Sequence, residues 1–209
     1  MTTRIDAILF DLGGVLIELA GVERMLAWSP SLGTTEELWR RWLASPAVRS
    51  YETGRSDRDA FADAIIVEFG LPVAREDFLA EFAWWPRTLH PGAGALLARL
   101  APRYTLASLS NTNELHWERF EREWALPGMF HRNFPSYAVG KLKPDADYFE
   151  HVLDALDVKP GHALFVDDNR INVEAARAVG VHARQVKRFD DLGPTLAEAG
   201  VALAAGSHG

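Results

Sequence analysis

Residues 5–15 of the chain read IDAILFDLGGV, and this segment gives the strongest indication of the fold. Its apolar part, residues 5–10, is nearly continuous rather than alternating, which is typical of a strand buried on both faces of a parallel sheet. The apolar run stops at Asp11, and Gly13 and Gly14 follow almost at once. The segment therefore predicts a short buried strand that ends in a carboxylate and a glycine turn.

Similar apolar runs occur at residues 104–109, 163–166 and 181–186, with helical patterns between them. The clearest helical pattern begins near Pro144 and Asp145 and places apolar residues at the spacing i, i+3, i+4 and i+7, namely at Phe149, Val152, Leu153 and Leu156. Strands that alternate with helices in this way predict an α/β fold, a doubly wound parallel sheet with a Rossmann-like core.

Residues 18–86 interrupt this alternation, because they show helical patterns and no buried-strand run. A capping box is predicted from Thr34 to Glu37, and a further helix is predicted to begin near Ser56. Five of the seven tryptophans fall in this stretch, and we expect them to form the core of the insert rather than a platform for a ligand. The simplest interpretation is a helical insert at 18–86, with residues 1–17 and 87–209 forming the main domain.

Composition excludes several classes of function. The 209 residues contain no cysteine, which excludes disulfides, thiolate catalysis and zinc bound by cysteine. The formal charge of −7 argues against a nucleic-acid partner. The apolar stretch 5–22 contains Asp6, Asp11 and Glu18, which argues against a membrane span or a signal peptide. We therefore predict a cytoplasmic protein without nucleic-acid or membrane partners, either a monomer or a homodimer.

The residues that follow each predicted strand indicate where a site would lie, since ligands bind beyond the carboxyl ends of strands in an open parallel sheet. Lys143 lies in the loop before the clearest helix and is expected at the same rim. The polar residues at these strand ends are Asp11, Ser110, Asn111, Asp167 and Asp168. The sequence thus predicts that carboxylates, a hydroxyl, an amide and a lysine converge.

Carboxylates gathered in this number repel one another, and a hard cation such as Mg²⁺ would relieve the repulsion. Asp11 could then act as a nucleophile on phosphorus. Ser110 and Asn111 could donate hydrogen bonds to phosphoryl oxygens, and Lys143 could supply positive charge where negative charge accumulates. The expected cofactor is Mg²⁺, or Mn²⁺ in its place.

These residues resemble the four motifs of the haloacid dehalogenase superfamily, specifically its magnesium-dependent phosphatases with a small helical cap. The motifs are matched in order by residues 10–15, by Ser110 and Asn111, by Lys143 and Pro144, and by residues 165–169 with Asn172. The resemblance implies that Asp11 accepts the phosphoryl group, that Asp168 is the metal carboxylate and that Asp167 supports it. It also implies that the insert is the cap, with a substrate loop that includes Glu52 and Arg55.

One position departs from that pattern. The phosphatases usually carry an aspartate two residues after the nucleophile as general acid and base, and this chain has Gly13 there. The Gly13 carbonyl can still bind the metal, but loss of a positioned acid typically costs about 10²- to 10⁴-fold in rate. Glu18 is a candidate replacement, although a hinge carboxylate facing water is the simpler interpretation. A sugar-1-phosphate phosphatase with the same Asp-Leu-Gly pattern also resembles residues 109–113.

The sequence therefore predicts a hydrolase that removes phosphate from a small phosphorylated metabolite, such as a sugar phosphate, through an aspartyl phosphate on Asp11. A metal-independent 2-haloacid dehalogenase is one alternative, and the pair Asp167 and Asp168 speaks against it. A weakly catalytic binding or regulatory protein is another, and it would have no use for Asp11, Ser110, Lys143 and Asp168 together.

Overall fold

The computed structural model describes residues 4–19 and 21–204. Seven strands lie in this part of the chain, at β1 (Ala7–Phe10), β2 (Ile17–Leu19), β3 (Pro86–Leu89), β4 (Thr105–Ser110), β5 (Arg132–Pro135), β6 (Ala163–Asp167) and β7 (His182–Gln185).

Eleven α-helices are present in the same residues. They are α1 (Val22–Trp28), α2 (Thr35–Ala44), α3 (Pro46–Glu52), α4 (Arg58–Phe69), α5 (Arg75–Phe82), α6 (Ala93–Leu100), α7 (Glu114–Trp124), α8 (Ser136–Val139), α9 (Ala146–Leu156), α10 (Arg170–Ala178) and α11 (Phe189–Glu198). Short 3₁₀ turns cover Pro30–Leu32, Leu126–Met129 and Pro160–His162. None of the helices described is long and apolar enough to cross a membrane.

Five strands form one parallel sheet in the order β5-β4-β1-β6-β7. The chain moves outward from β1 through β4 to β5, and then returns to the other side of β1 with β6 and β7. The strand order therefore reverses at β1, and the carboxyl ends of β1, β4 and β6 lie side by side there. A reversal of this kind leaves a crevice for ligands beyond the strand ends. The predicted doubly wound α/β fold is confirmed.

Four of these strands coincide with the apolar runs of the sequence, but β5 was not predicted. This strand lies at the edge of the sheet and begins with Arg132 and Asn133, of which the first is exposed. Only its last two residues, Phe134 and Pro135, are buried, so its sequence carries no buried run. The predicted helix near Asp145 is α9.

The helices α1 to α5 lie between β2 and β3 in the chain, and they enclose a hydrophobic cluster separate from the two that cover the faces of the sheet. This cluster is rich in aromatic rings: Tyr51 stacks on Phe61 at 4.3 Å, and the rings of Trp42 and Trp85 are 4.8 Å apart. We call helices α1 to α5 the cap. The predicted capping box of Thr34 and Glu37 is confirmed. The helix expected near Ser56 is α4, which is capped by Asp57.

The cap is attached to the sheet domain by the antiparallel pair of β2 and β3 and by one face of α7. The buried Arg119 donates to the carbonyl oxygens of Ala83 at 2.6 Å and Pro86 at 2.8 Å, where the chain leaves the cap. The Tyr51 hydroxyl donates to Glu114 at 2.9 Å. These contacts hold the cap directly over the carboxyl ends of the strands.

Candidate active site

Asp11 follows β1 at the centre of the sheet. Its backbone N–H donates to the Val166 carbonyl at 2.9 Å, which extends the ladder with β6 by one residue. One carboxylate oxygen, Oδ1, accepts from the Leu12 N–H at 2.8 Å and lies 2.9 Å from Lys143 Nζ. The following turn requires Gly14, because its φ is +76° and a Cβ there would lie 2.4 Å from Asp168 Oδ2. The absence of a Cβ at Gly14 thus allows the turn after β1 to lie close to the carboxylate of Asp168.

Lys143 is the cation at the centre of the site, and only 1% of its surface is exposed. Its Nζ lies 2.9 Å from Asp11 Oδ1 and 2.7 Å from Asp167 Oδ2. The Asn111 side chain holds the lysine backbone at both ends, accepting from its N–H at 2.8 Å and donating to its carbonyl at 2.9 Å. The loop after β4 therefore fixes the position from which Lys143 reaches the strand ends.

Asp167, the last residue of β6, is fully buried, and protein donors occupy its carboxylate. It accepts from Lys143 Nζ, from the Asn169 N–H at 2.7 Å, and from Asn172 Nδ2 at 3.0 and 3.2 Å. The neighbouring Asp168 is partly exposed and lines the cavity described below. Of the two adjacent aspartates, Asp167 thus faces Lys143 and Asp168 faces open space.

Carboxylate oxygens of Asp11, Asp167 and Asp168 lie within 4.8 Å of one another. Burial raises the pKa of Asp11 to about 6, with Lys143 acting in the opposite direction. Burial and the charge of Asp11 raise the pKa of Asp168 to about 7. Burial alone would lower the pKa of Lys143, but the two aspartates outweigh burial and raise it. Three carboxylates thus share one ammonium, and the site carries more negative charge than Lys143 balances.

A cavity of about 370 Å³ lies between the strand ends and the cap. The core contributes polar groups to its wall, including Asp11, Ser110, Lys143 and Asp168, and Gly13 lies beside them. The cap contributes Glu52 and a set of large apolar side chains, namely Trp39, Trp42, Leu43, Phe82 and Trp85. A polar floor and an apolar roof are therefore present in one space of a size that suits a small-molecule ligand.

Most of the residues selected from the sequence meet at this cavity, and three positions differ from expectation. The cavity wall includes Asp11, Gly13, Glu52, Ser110, Asn111, Lys143 and Asp168. Asp167 lies behind this wall, against Lys143. Arg55 is exposed and outside the wall, because the loop turns away at Gly54, whose Cα faces the Tyr137 carbonyl. The Asn111 side chain binds the backbone of Lys143, so its amide is already engaged with protein.

Two carboxylates of the cap region had been considered, and they occupy different places. Glu18 lies in β2, is exposed, and borders a separate groove beside Gly14 and Arg188. Glu52 ends α3 and lines the main cavity, where burial raises its pKa to about 7, with Lys143 lowering it and Asp11 raising it. The carboxyl group on the cap side of the cavity therefore comes from Glu52 and not from Glu18.

The aromatic roof was missed by sequence reasoning, which assigned the tryptophans to the core of the insert. Trp42 and Trp85 are indeed buried in that core, but both also border the cavity. His116 lies beside them with both ring nitrogens in hydrogen bonds, to Asn113 at 3.1 Å and to the Phe82 carbonyl at 2.7 Å. Burial lowers the His116 pKa to about 4, so the imidazole is neutral.

Comparisons with known proteins agree with this geometry. Residues 5–180 match the family model of the haloacid dehalogenase-like hydrolases. The sesquiterpene phosphatase of Aspergillus oryzae is 29% identical over 87% of this chain and 89% of its own length. A phosphoglycolate phosphatase of Cupriavidus necator is 27% identical over 90% of this chain and 83% of its own length. A haloacid dehalogenase family enzyme from Bacteroides thetaiotaomicron, solved with magnesium and inorganic phosphate, has a TM-score of 0.73 and 26% identity, over 91% of this chain and 98% of that one.

The chain belongs to the haloacid dehalogenase-like hydrolase family. Within that family, the two curated relatives described above match most of its length and are phosphatases, and the chain is a phosphatase of this type.

The ammonium of Lys143 should be required for stability, which Lys143→Met tests. The substitution leaves Asp11 and Asp167 buried without their cation, and removal of one partner of a buried pair costs on the order of 3–5 kcal/mol. The loss should be smaller at pH 5 than at pH 8, since Asp11, whose pKa burial raises to about 6, is largely protonated at pH 5 and then no longer repels Asp167. Urea unfolding in chelator measures the loss of stability at each pH.

The control Lys141→Met removes an ion pair with Asp147 that is exposed to solvent, and should change stability by less than about 1 kcal/mol. Equal losses in the two variants would contradict a central role for Lys143.

Proposed function

We propose that this protein is a Mg²⁺-dependent phosphatase in which Asp11 forms an aspartyl phosphate with a small phosphorylated metabolite. The observation that carries the proposal is the cluster of Asp11, Asp167 and Asp168 around one buried lysine, at the reversal point of the sheet. It places a carboxylate, a fixed ammonium and spare negative charge on the floor of one cavity. A nucleophile, a group that stabilises phosphoryl charge and a site for a hard cation are the parts that this reaction needs.

The donor atoms at the cluster fit a magnesium ion. Asp11 and Asp168 offer carboxylate oxygens, and Gly13, which lines the same cavity, adds a backbone carbonyl; such oxygen donors suit a hard cation that keeps several water molecules. We assign these three residues to the metal. Asp167, predicted as a further supporting carboxylate, is assigned to the positioning of Lys143, since protein donors already occupy both its oxygens. When bound, Mg²⁺ would neutralise phosphoryl charge and orient the phosphate for in-line attack.

In the first step, a carboxylate oxygen of Asp11 forms a bond to phosphorus, and the bond between phosphorus and the ester oxygen breaks. Lys143 offsets the charge that gathers on the phosphoryl oxygens, and Ser110, buried at the end of β4 with its side chain at the cavity, donates to one of them. The leaving oxygen takes its proton from water. In the second step, a water oxygen attacks phosphorus, its proton passes to solvent, and Asp11 is released together with inorganic phosphate.

The substrate must suit a site without an acid at position 13. Charge builds on the departing oxygen in phosphoryl transfer, so an acidic leaving group compensates for the missing donor. A sugar 1-phosphate, the class suggested by the sequence, meets this requirement, as do aryl phosphates. The relatives give no agreed answer, since one is named for a sesquiterpene substrate and another for phosphoglycolate.

Removal of magnesium should abolish turnover, because Asp11 and Asp168 would repel the phosphate without it. Magnesium should also raise the melting temperature, and more at pH 8 than at pH 5.5. At pH 5.5 both carboxyl groups, with pKa values of about 6 and 7, are largely protonated and must release protons to bind the metal. Thermal unfolding and phosphate release, each with Mg²⁺ or with chelator, measure these effects.

Asp168→Asn should lose the magnesium-dependent rise in melting temperature, and the control Asp154→Asn, on the exposed face of α9, should keep it. Full turnover in excess chelator would contradict the proposal and favour a metal-independent dehalogenase, which release of halide from a 2-haloacid would then detect.

Asp11→Asn should reduce phosphate release to background while the fold persists, since the amide keeps the shape of the side chain and lacks its nucleophilic oxygen. The matched control is Asp6→Asn, which alters a carboxylate just before the same strand and outside the cavity. Mass spectrometry of the acid-quenched wild-type enzyme should detect a phosphoryl group on Asp11. Turnover above a few per cent in Asp11→Asn would exclude covalent catalysis by this residue. Tight substrate binding without any turnover in the wild type would instead indicate a regulatory protein.

The absence of an acid at Gly13 should make the rate depend steeply on the acidity of the leaving group. Gly13 accepts a side chain, because its φ is not positive and an added Cβ would meet only Leu19, at 3.4 Å. Gly13→Asp should therefore raise the rate for sugar 6-phosphates by about 10-fold or more and change aryl phosphates little. The measurement is kcat/KM across a series of esters for both proteins, with Gly13→Asn as the control for added volume. A shallow dependence in the wild type would mean that another group already supplies the proton.

A further inference from the structure

The roof of the cavity is a continuous apolar surface. Five large side chains of the cap region form it, namely Trp39, Trp42, Leu43, Phe82 and Trp85. Leu19 and Pro86 from the hinge and Phe120 from α7 extend it. Aromatic walls of this kind bind the apolar body of a ligand and bury its surface from water.

Three of the polar side chains on the wall of the cavity are engaged within the protein, whereas the Thr112 hydroxyl has no hydrogen-bond partner among the residues described. His116 uses both ring nitrogens within the protein, and the amides of Asn111 and Asn172 are engaged with Lys143 and Asp167. In the roof itself, the polar groups are the carboxyl of Glu52 and the indole N–H groups of Trp39, Trp42 and Trp85, of which the last is buried and has no hydrogen-bond partner among the residues described. A sugar, which needs a partner for each buried hydroxyl, would leave several unpaired at a cost of about 1–3 kcal/mol each.

The charges on the cap side of the cavity also limit the class of substrate. Among the described residues that line the cavity, the cap contributes one acidic side chain, Glu52, and no cationic one. Arg55, the cation expected from the substrate loop, lies outside the wall. The cations on the wall, Lys143 and Arg170, both belong to the core, so a second negative group held against the cap would lie beside Glu52 and away from them, which disfavours a carboxylate-bearing phosphate ester.

The apolar surface also leads out of the site. A second space of about 430 Å³ shares Trp39, Leu43, Glu52 and Lys143 with the first and runs between α2 and α10. Ile171 lies on its opposite side. Leu43 and Ile171 are two of the four large hydrophobic side chains that the described residues expose, at 43% and 54%. The charged residues Glu36, Arg40 and Arg49 also line this groove, and its apolar side chains, from Trp39 and Leu43 to Ile171, offer a path for a group too long for the inner cavity.

We propose that the substrate of this enzyme carries an uncharged, apolar group, larger than a single benzene ring, that lies against Trp39 and Leu43 and extends toward Ile171. The inference rests on the proposed phosphatase function and adds the class of substrate to it. The group is an extended aromatic system or a hydrocarbon chain, which share the chemistry that this surface recognises. The phosphate lies at the polar floor, and the apolar group fills the roof and the groove.

The test is a series of aryl phosphates with nearly equal leaving groups, so that differences in rate report the body of the substrate. In 4-methyl-, 4-butyl- and 4-octylphenyl phosphate, kcat/KM should rise with chain length, by up to about fourfold for each fully buried methylene. We expect 4-carboxyphenyl phosphate to be at least 10-fold poorer than 4-butylphenyl phosphate. A comparison of 2-naphthyl with 4-butylphenyl phosphate distinguishes a flat aromatic group from a flexible chain.

A matched pair of variants locates the effect. Leu43→Glu places a charge in the groove and should reduce the ratio of kcat/KM for the octyl and methyl esters by about 10-fold. Val67→Glu places the same charge on α4, at a valine that is 82% exposed and outside both spaces, and should leave the ratio unchanged. Because each ratio compares two substrates of one protein, a partial loss of folded enzyme does not affect it.

The outcomes separate this inference from the function on which it rests. If 4-methylphenyl phosphate is hydrolysed only with Mg²⁺ and the rate is flat with chain length, the phosphatase function stands and the apolar substrate is excluded. A preference for glucose 1-phosphate, or equal ratios in Leu43→Glu and the wild type, would also exclude it. If no ester in the series is hydrolysed, both proposals fail.

Discussion

The buried ammonium of Lys143 is the interaction on which the site depends. It lies between Asp11, at the end of β1, and Asp167, at the end of β6, and without it these carboxylates would face each other in a region from which water is largely excluded. A buried charge needs both a partner of opposite sign and hydrogen bonds for its remaining polar atoms. Asn111 holds the lysine backbone, and Asn172 holds the far side of Asp167. The loops after three neighbouring strands are thereby fixed to one another.

The same arrangement explains why the site has catalytic potential rather than structural value alone. One cation among three carboxylates leaves negative charge that a metal can balance, and it leaves Asp168 facing the cavity. The cap then covers the charged floor with aromatic side chains, which exclude water and strengthen every electrostatic interaction beneath them. In the proposed function, the sheet domain supplies the chemistry and the cap selects the substrate. The cap is held in position over the sheet domain by Arg119, by Tyr51 and by the β2–β3 pair.

Much of the architecture could be predicted from local patterns. Strands β1, β4 and β6 lie inside the sheet and read as apolar runs, and the edge strand β7 was found from the buried Val181, Ala183 and Val186. The capping box at Thr34 was found from its residue types. The other edge strand, β5, could not be found in this way, because its first two residues are polar and only Phe134 and Pro135 are buried. The convergence of Asp11, Ser110, Lys143 and Asp168 was also predictable, since the carboxyl ends of neighbouring parallel strands meet at one rim.

By itself, then, the sequence determined the alternation of strands and helices, the position of the insert and the residue types at the strand ends, because all of these are encoded within a few residues of each position. Only the tertiary structure decided which partner each polar group has. It assigned the Asn111 amide to the Lys143 backbone, turned Arg55 away from the cavity, placed Asp167 behind Lys143, and brought Trp42 and Trp85 to the roof as well as into the core. The first three outcomes depend on contacts between residues that are distant along the chain. The last depends on which edge of a buried tryptophan ring borders the cavity. No local sequence pattern specifies either.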